Sequence, residues 1–381
     1  MSVVGTTTSS YGLGDSVYRR CFYANGLFWV FFFDGTNLVY ATSSNGSSWS
    51  VASIARSGID DGRSFDIYFD GTYVHYVYDN FTNGGAGNAI TTYYRRGTPA
   101  SNGSISWSQS EQTVISNTAL NWAMLAVDSN GYPWIAYATT GNSETGYPYV
   151  IKSSTNDGTW STASGFPYQL DTTLNGYWEA RPVPLPNGNM VVIFTAGSEG
   201  NIHNGYLCAA YWNGSSWGTE VFGTEVVTYQ FFSIVPNGNN PYIAYITGTS
   251  SPYTMRVVQY SYSSNSFGTP VTLESGVTTT NTDNPLSIDA SGNLFCFWDN
   301  YPSSNYLYYI RCIGGTWDSN PTTWQNESAA TIPSPEGYEL SCFNTAYGGF
   351  IGLVYMTGSS SPYNIKFIAL APVTAVQHWF M

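Results

Sequence analysis

The chain has 381 residues, of which 43% are hydrophobic, 17% aromatic and only 9% charged, and its formal net charge is −13. This acidic balance excludes nucleic acid and anionic membrane surfaces as predicted partners, because both repel negative charge. Since no apolar stretch reaches the roughly 20 residues that a membrane-spanning helix needs, no membrane insertion is predicted.

A turn followed by an apolar strand recurs along the chain and indicates the architecture. Successive turns start 45 to 60 residues apart, and a repeat of this length predicts equivalent supersecondary units. In chain order these turns start at Asn25 (NGLFWVFF), Asp70 (DGTYVHYVY), Asn130 (NGYPWIAY), Asn187 (NGNMVVIF), Asn237 (NGNNPYIAY), Ser291 (SGNLFCFW) and Tyr347 (YGGFIGLVY).

The first unit shows how each repeat divides into four strands. Strand A is predicted near 17–23, strand B near 27–33, strand C near 38–43, and strand D from Trp49. Asn-Gly and Asp-Gly pairs supply the positive φ that tight hairpin turns require. The runs between them are rich in β-branched and aromatic residues, and no window combines helical spacing with a cap, so almost no helix is predicted.

Seven units of four strands predict an all-β fold, namely a seven-bladed β-propeller of four-stranded antiparallel blades. The segment SVVGTTT at 2–8 has strand composition and no partner nearby, so it is predicted to close the ring as the outer strand of the last blade. The chain, 1–381, is predicted to be one domain, with blades at about 11–58, 59–116, 117–173, 174–227, 228–280, 281–334 and 335–381 plus 1–10.

A polar tip followed by tryptophan returns between strands C and D, as TSSNGSSWS, NDGTWS, WNGSSWG and IGGTWD. The phrase resembles the Asp-box, or bacterial neuraminidase repeat, whose pattern is S-x-D-x-G-x-T-W. Gly46 and Trp49 keep the spacing of that pattern, but Ser44 stands where the family has Asp. The resemblance implies architecture more than chemistry, because Asp-boxes lie away from the active face. The tryptophans Trp49, Trp160, Trp217 and Trp317 are predicted to be mostly buried between blades.

Retaining sialidases are the best-known Asp-box enzymes, and the resemblance implies a comparison with their site. That site needs three arginines that clamp a carboxylate, a Tyr–Glu nucleophile pair and an Asp acid/base. YRRC at 18–21 stands at the place of the family's first arginine motif but lacks its Ile-Pro. Arg63 and Arg181 are candidate partners, and Asp60 or Asp61 is a candidate acid. Sialidases have six blades where seven are predicted here, so a true sialidase is disfavoured.

The loops that enter strand A and those that join strands B and C meet on one face of a propeller. Here they bring together acidic and aromatic residues, which suit sugars because aromatic rings stack on C–H faces and carboxylates serve as acid and base. Each residue also has a structural interpretation, in which it holds backbone N–H groups or seals a blade. The candidate ligand-binding residues are Arg19, Asp61, Arg63, Trp122, Trp178, Glu179, Arg181, Asp299 and Tyr338.

The segment YWEARP at 177–182 joins an aromatic residue, an acid and a base beside the entry to a strand A. Trp178, Glu179 and Arg181 are therefore predicted to line the mouth of the central channel, together with Asp61 and Arg63. The alternative is a Glu179–Arg181 pair that only braces blade 4 against its neighbours. No catalytic residue is assigned.

No cofactor and no metal is predicted. The three histidines are widely separated, and the stretches DSNG at 128–131 and DASGN at 289–293, which look faintly like calcium loops, fall at hairpin turns, where turn formation explains them. The five cysteines are an odd number, so at least one is free. Cys21–Cys342 and Cys296–Cys312 are candidate disulfides, and buried free thiols are the alternative.

A surface of hydroxyls and amides with two lysines predicts an extracellular, cell-surface or virion-surface location, although the N-terminus lacks the pattern of a signal peptide. Asn-x-Ser/Thr sequons predict glycosylation, while turn formation is the alternative where the sequence is Asn-Gly-Ser. The candidate glycosylation sites are Asn45, Asn80, Asn102, Asn213 and Asn326.

Two functions follow from these patterns. The favoured one is a surface propeller that binds a glycan or a surface protein without catalysis. The alternative is a glycan-cleaving enzyme, either a sialidase-like glycoside hydrolase or a polysaccharide lyase, with its site at the channel mouth. Two carboxylates roughly 5–10 Å apart beside an arginine or an aromatic ring would favour the enzyme.

Overall fold

Short polar turns between apolar runs fold the chain into seven antiparallel sheets, which confirms the predicted seven-bladed β-propeller. The structure is a computed structural model. Within the described part of the chain, no helix is long and apolar enough to cross a membrane. The described residues are 1–14, 18–60, 62, 64–80, 90–117, 122–139, 147–171, 179–198, 201–228, 232–278, 285–299, 306–326, 340–346 and 349–370.

Each blade runs from the channel outwards through strands A, B, C and D, and a single 3-10 turn, Pro186–Gly188, accompanies them in the described residues. The strands are β1 (Ser2–Thr7), β2 (Cys21–Ala24), β3 (Leu27–Phe33), β4 (Leu38–Ser43), β5 (Ser53–Arg56), β6 (Phe65–Phe69), β7 (Val74–Asn80), β8 (Ile90–Pro99), β9 (Ile105–Trp107), β10 (Gln112–Asn117), β11 (Met124–Val127), β12 (Pro133–Ala138), β13 (Pro148–Lys152), β14 (Tyr168–Gln169), β15 (Ala180–Pro184), β16 (Met190–Ser198), β17 (Asn201–Trp212), β18 (Val221–Thr228), β19 (Phe232–Val235), β20 (Tyr242–Thr247), β21 (Tyr253–Ser261), β22 (Ser266–Phe267), β23 (Val271–Val277), β24 (Leu286–Ile288), β25 (Leu294–Asp299), β26 (Tyr306–Ile313), β27 (Thr316–Trp317), β28 (Thr322–Asn326), β29 (Leu340–Cys342), β30 (Ile351–Thr357) and β31 (Tyr363–Leu370). Blade 1 is β2–β5, blade 2 is β6–β10, blade 3 is β11–β14, blade 4 is β15–β18, blade 5 is β19–β23, blade 6 is β24–β28, and blade 7 is β29–β31 with β1.

Apolar side chains fill the seams between blades. Seven clusters of buried residues lie around the ring, one between each pair of neighbouring blades. Since side chains alternate along a strand, each blade sends apolar groups to both of its neighbours. In β3, for example, Trp29 and Phe31 pack towards blade 2, whereas Val30 and Phe32 pack towards blade 7. This two-sided burial explains why the B strands read as continuous apolar runs.

The N-terminal strand completes blade 7. β1 pairs antiparallel with β31, with Ser2 opposite Phe367 and Thr7 opposite Tyr363. From blade 1, Trp49 donates its indole N–H to the Ser2 hydroxyl at 2.7 Å, and its ring lies 5.1 Å from that of Phe367. The closure expected from the sequence is therefore present, and it is tied to blade 1 by a tryptophan.

The other tryptophans of the C–D turns also pack against the preceding blade. Trp160 meets Tyr94 of blade 2 edge to face at 5.3 Å, and Trp217 stacks on Tyr168 of blade 3 at 5.0 Å. Trp317 packs against the cluster between blades 5 and 6. Each of these side chains is half-buried, as is Trp49, because one edge of the ring stays at the rim.

Two strands of blade 1 start later than predicted, strand A at Cys21 and strand D at Ser53. The backbone before Cys21 bonds to other blades, because the Arg19 N–H donates to Asp66 and the Arg20 N–H donates to Ser341, both at 3.0 Å. Trp49 and the residues around it belong to the turn before strand D. Both strands therefore start later in the structure than the sequence pattern predicts.

Three sequon asparagines lie at exposed tips of C–D turns, as predicted: Asn45, Asn102 and Asn213. Their side-chain oxygens close the turns, since that of Asn45 accepts the N–H groups of the residues two and three positions ahead at 2.9 Å. Asn80 ends β7 and is partly buried, and the side chain of Asn326 lies outside the described residues. The structure thus shows the turn chemistry, while glycosylation stays a prediction.

One seam contains ionisable groups among its apolar side chains. Between blades 3 and 4, the Glu220 carboxyl meets the carboxyl of Asp171 and the thiol of Cys208. Burial raises the pKa of Glu220 to about 7, and the charge of Asp171 contributes to this rise. Near neutral pH, a proton is therefore held between the two carboxyls of this seam.

This shared proton makes the stability of the fold depend on pH. The folded pKa of Glu220 lies above the ordinary value of about 4.3, so its stabilisation is complete below that value and is lost as the pH rises through about 7. We expect the melting temperature of the wild type to fall more between about pH 6 and 8.5 than that of Glu220→Gln, which cannot ionise. Equal pH dependence of the two melting temperatures would contradict this account.

The contact of Trp49 with the N-terminal strand allows a second test of the fold, namely of how the ring is closed. Trp49→Ala removes an aromatic contact and a hydrogen bond from the seam between blades 7 and 1, so we expect a loss of about 2–4 kcal/mol in the free energy of unfolding. Trp49→Phe keeps most of the packing and loses only the hydrogen bond, at about 1 kcal/mol. Urea denaturation followed by circular dichroism measures both, and an alanine variant as stable as wild type would show that closure does not depend on Trp49.

Candidate functional site

The innermost strands of all seven blades converge on a cavity around the axis of the ring. Its empty volume is about 450 Å³, part of it open to solvent, and its wall carries arginine, aspartate, serine and asparagine side chains beside apolar ones. The lining residues are Tyr18, Arg19, Asp66, Met124, Arg181, Pro182, Ser233, Ile234, Pro285, Leu286, Ser341, Cys342 and Asn344.

Asp66 organises one side of this cavity. Its Oδ1 accepts the backbone N–H of Arg19 at 3.0 Å and the Arg19 Nε–H at 3.1 Å. Its Oδ2 accepts the Leu125 N–H at 3.0 Å and a hydrogen bond from Arg19 Nη2. One buried carboxylate of blade 2 thereby joins blades 1 and 3, and four donors occupy its two oxygens.

Arg19 is held in place but keeps donors for a ligand. Nη2 donates to Asp66 and to the Leu125 carbonyl, and the guanidinium lies 4.7 Å from the ring centre of Tyr68. In the described part of the chain no protein acceptor faces Nη1, and the side chain is 19% exposed. Two N–H groups of a fixed cation therefore point to the cavity and its solvent.

Tyr18 adds a neutral donor beside Arg19. Its hydroxyl is buried and makes no hydrogen bond of normal geometry with the described residues, although the Ser64 hydroxyl, which donates to Asp79 at 2.7 Å, lies near it. Burial raises the pKa of Tyr18 well above its ordinary value, and the charges of Glu179 and Asp79 add to the rise. The phenol consequently keeps its proton, and a buried hydroxyl without a partner is costly unless a ligand or water accepts it.

Glu179 and Arg181 form a buried ion pair across the cavity from this group. The Glu179 carboxylate accepts Arg181 Nη2–H at 2.7 Å and Nε–H at 3.2 Å. The guanidinium also lies 4.9 Å from the ring centre of Phe232 in blade 5. The two interpretations given to this pair from sequence are thus compatible, since Arg181 contacts the next blade and also lines the cavity.

Arg20, the residue after Arg19, does not line the cavity and has a structural role. It is fully buried, donates to the carbonyls of Leu13 at 2.6 Å and Phe65, and stacks 3.6 Å above the Phe65 ring. These contacts join the chain before blade 1 to blade 2. Of the two arginines in YRRC, Arg19 is the one that lines the cavity.

A segment of blade 7 narrows the channel. After β29 the chain crosses to blade 6, where the Ala346 N–H donates to the Ile288 carbonyl at 2.9 Å and Thr345 pairs with Ile288. This crossing brings Asn344 into the cavity wall. The A–B turns of blades 2 to 5 bound a wider opening, whose empty volume of about 1140 Å³ includes open solvent.

The remaining candidate residues do not meet in this cavity. Trp122 lies before β11 with a φ of 45°, and Asp299 ends β25 in a buried position. Neither of them lines the cavity. Asp61, Arg63, Trp178 and Tyr338 lie outside the described residues, so their assignment stays a prediction.

Sequence analysis missed Asp66 and Tyr18 as site residues. The signal for Asp66 was a carboxylate inside the apolar strand FDIYF, where a buried charge needs partners. Tyr18 stands in the quoted motif YRRC, but its place in the cavity wall depends on how the blades pack around the axis. Both residues act across blades, which a single repeat does not reveal.

Other polar groups have structural positions. His75 is buried between the Tyr94 hydroxyl at 2.9 Å and Asp70 at 3.1 Å, and burial lowers its pKa. Asp128 and Asp289, the first residues of DSNG and DASGN, accept the N–H groups of their own turns. In the described ranges, no group of three or more His, Cys, Asp and Glu residues is placed to hold a metal.

The five cysteines are buried free thiols, which agrees with the alternative to disulfide bonds given in the sequence analysis. They are Cys21, Cys208, Cys296, Cys312 and Cys342.

Comparisons with known proteins support the fold. No family model matches the chain, and no curated protein matches it by sequence. The chain is similar to the BP39L lectin from Burkholderia pseudomallei, with 10% identity, a TM-score of 0.65, and coverage of 95% of this chain and 99% of the lectin. It is also similar to the polysaccharide lyase Uly1, with 10% identity, a TM-score of 0.54, and coverage of 95% and 90%.

A sialidase is among the similar structures as well. The Trypanosoma rangeli sialidase in complex with the inhibitor DANA matches with 12% identity and a TM-score of 0.51, over 86% of this chain and 57% of that one. At such low identity the likeness shows the propeller fold alone. The Asp-box resemblance therefore stays an interpretation of the hairpin phrases.

The buried ion pair of the cavity wall can be tested by a double-mutant cycle. Glu179→Gln leaves the Arg181 cation buried without its carboxylate, so we expect a loss of about 3–5 kcal/mol in the free energy of unfolding. Adding Arg181→Met removes the second charge and should restore most of the stability. If urea denaturation finds the double variant no more stable than Glu179→Gln, the two side chains are not coupled as described.

Proposed function

We propose that the protein binds carbohydrate, and that the central cavity takes an anionic group of the glycan, such as the carboxylate of an acidic sugar. The observation that carries this proposal is the buried Tyr18 hydroxyl, which has no hydrogen-bond partner in the described structure and belongs to the same cavity wall as Arg19. A carboxylate accepts from both a phenol and a guanidinium. Arg181 adds positive charge to the same wall.

The size of the cavity favours a small ligand group over a protein segment. It leaves only about 30 Å³ for the centres of water-sized groups, so one small group of a ligand can enter it and a protein segment cannot. Ser233, Ser341 and Asn344 supply neutral polar groups around the arginines, which suits sugar hydroxyls. A surface protein, the other partner considered from sequence, finds no matching feature in this cavity.

Binding is preferred to cleavage because, among the described residues, the carboxylate that lines the cavity and the one paired with Arg181 are both occupied. Asp66 accepts four hydrogen bonds, and Glu179 is held by Arg181. A glycoside hydrolase needs two carboxyls that are free to act as acid and as base or nucleophile. The names of the similar structures, a lectin, a lyase and a sialidase, agree with a glycan ligand and leave the choice between binding and cleavage open.

We extend the proposal to the location of the protein. A glycan-binding propeller with few charged residues and a surface of hydroxyls and amides fits the outside of a cell or a virion. The exposed sequons at Asn45, Asn102 and Asn213 are accessible to glycosylation there. Mass spectrometry of the protein isolated from its source tests this part, since unmodified asparagines at all three tips would remove that support.

Binding to an array of acidic and neutral glycans tests the proposed function. Tyr18→Phe removes a single hydroxyl without cutting packing, so we expect the affinity for the acidic glycans to fall by roughly tenfold or more. Arg19→Lys keeps the charge and loses the planar donor pair, and should weaken the same glycans.

Tyr306→Phe, at an exposed tyrosine of blade 6, is the matched control and should bind as the wild type does. The proposal fails if no acidic glycan binds, or if Tyr18→Phe and Arg19→Lys bind acidic glycans as tightly as the wild type and the control do.

A further inference from the structure

The A–B turns of blades 2 to 5 enclose a space that the proposed function does not use. It leaves about 620 Å³ for the centres of water-sized groups, against about 30 Å³ in the central cavity. Small-molecule sites usually occupy roughly 300–1,000 Å³. We call this space the turn opening, and its size suits a ligand larger than the single group that the central cavity takes.

A narrow space separates the turn opening from the central cavity. It is lined by Tyr68, which also lines the turn opening, and by Arg19 and Asn344, which also line the central cavity. It leaves about 30 Å³ for the centres of water-sized groups, so a sugar ring cannot pass through it. A ligand of the turn opening therefore binds independently of one in the central cavity.

Hydrogen bonds and prolines fix the turns that form the wall. In blade 2, Asp70 accepts the N–H groups of Thr72 and Tyr73 at 2.8 and 2.7 Å. The Ser129 hydroxyl of blade 3 accepts the Gly188 N–H of blade 4 at 2.7 Å. Blades 4 and 5 contribute residues whose φ is fixed by their ring, namely Pro184, Pro186 and Pro236. A ligand thus meets a wall that is already formed, which lowers the entropic cost of binding.

Tyr73 offers a fixed aromatic surface in this wall. The Arg96 guanidinium lies 4.2 Å from its ring centre, and the His75 ring meets it edge to face at 6.4 Å. Tyr73 is nevertheless only half-buried and lines the turn opening. A tyrosine held in this way gives a large contact area at little conformational cost.

Neutral hydrogen-bonding groups lie in the same wall. Thr72 and Asn130 are exposed side chains of the turns of blades 2 and 3. The Asn130 carboxamide lies against Gly188, where a Cβ would overlap its Nδ2, so the glycine allows this close approach. A hydroxyl and a carboxamide can each donate and accept hydrogen bonds, as the hydroxyls of a sugar do.

The two carboxylates of the wall are already engaged by the protein. Asp70 lies 3.1 Å from His75 Nε2, besides accepting from its own turn. Asp128 accepts the Trp134 indole N–H at 2.9 Å and lies 3.4 Å from Lys152 Nζ. These carboxylates repel an anion, and a cation would have to compete with the groups that they already hold. A neutral ligand is therefore favoured.

We propose that the turn opening is a second carbohydrate site, which binds a neutral saccharide independently of the proposed function of the central cavity. The Tyr73 ring contacts a C–H face of the sugar, and Thr72 and Asn130 bond to its hydroxyls. The prolines of blades 4 and 5 add apolar contacts from the other side of the opening.

A proline-rich peptide suits this wall less well. Such peptides dock in grooves lined by aromatic rings. The described wall of the turn opening has two aromatic residues, Tyr68 and Tyr73, and both belong to blade 2. The turns of four blades also surround the space, whereas an extended chain needs a groove.

Titration calorimetry with neutral methyl glycosides and linear oligosaccharides of glucose, galactose, mannose and N-acetylglucosamine tests the proposal. We expect at least one of these sugars to bind, and Tyr73→Ala and Asn130→Ala each to weaken it by about tenfold. Tyr18→Phe, in the central cavity, should leave this binding unchanged. Melting curves confirm that each variant is folded, and Asn130→Ala changes an exposed side chain, so it keeps the test decisive if Tyr73→Ala does not fold.

Each variant has a matched control in an equivalent turn. The carbonyls of Tyr73 and Tyr132 both accept the N–H of the first Asp of their turns, and a cation from strand C lies over each ring. Ser291 of blade 6 matches Asn130, since both backbone N–H groups bond to the first Asp of the turn. Neither control residue lines the turn opening, so Tyr132→Ala and Ser291→Ala should bind as the wild type does.

Four results would overturn the proposal. They are no binding of any sugar in the panel, equal loss in the two controls, loss in Tyr18→Phe with none in the turn variants, and binding of a polyproline peptide in place of sugar that Tyr73→Ala abolishes. The third would assign neutral sugars to the central cavity, and the fourth would make the turn opening a peptide site. Binding of acidic glycans is measured separately, so failure of the proposed function is distinguished from failure of this second site.

Discussion

Every blade of this protein has two apolar faces, and the rest of the structure depends on the need to cover both. A flat row of blades would leave one face bare at each end, so a closed ring is the arrangement that gives each blade two neighbours. The seven clusters between blades are the outcome, and the last of them includes β1 and Trp49. The ring is thus held by side-chain packing between sheets, and no backbone ladder connects one blade to the next except where Ile288 pairs with Thr345 in the described residues.

Around the axis of the closed ring, neighbouring blades no longer cover the side chains. The innermost strands have no further sheet to pack against, and their side chains meet around a cavity. Polar groups there must be satisfied by one another or by a ligand. Asp66 satisfies donors from blades 1 and 3, whereas the Tyr18 hydroxyl and one nitrogen of Arg19 have no protein partner among the described residues. The proposed function rests on these unsatisfied donors more than on the resemblance of the fold to glycan-binding propellers.

The sequence contained most of the fold because the repeat is local. Turn residues such as Asn25 and Asp70 and the apolar runs that follow them lie next to each other in the chain, so the strands B and C of blade 1 were placed at their observed residues. The residues of the candidate site could be predicted less well from local sequence patterns. Arg19 and Asp66 are 47 positions apart, and their contact follows from how two blades stack.

The pairing of β1 with β31 joins residues from opposite ends of the chain. During synthesis β1 emerges first, and its partner is made only after six blades have left the ribosome. For a flexible chain, closing so long a loop costs about 4 kcal/mol of chain entropy beyond that of a local hairpin. The seam between blades 7 and 1 is therefore the last that the nascent chain can form, and until then the outer faces of blades 1 and 7 remain bare. The order of folding follows from which blade the first strand joins.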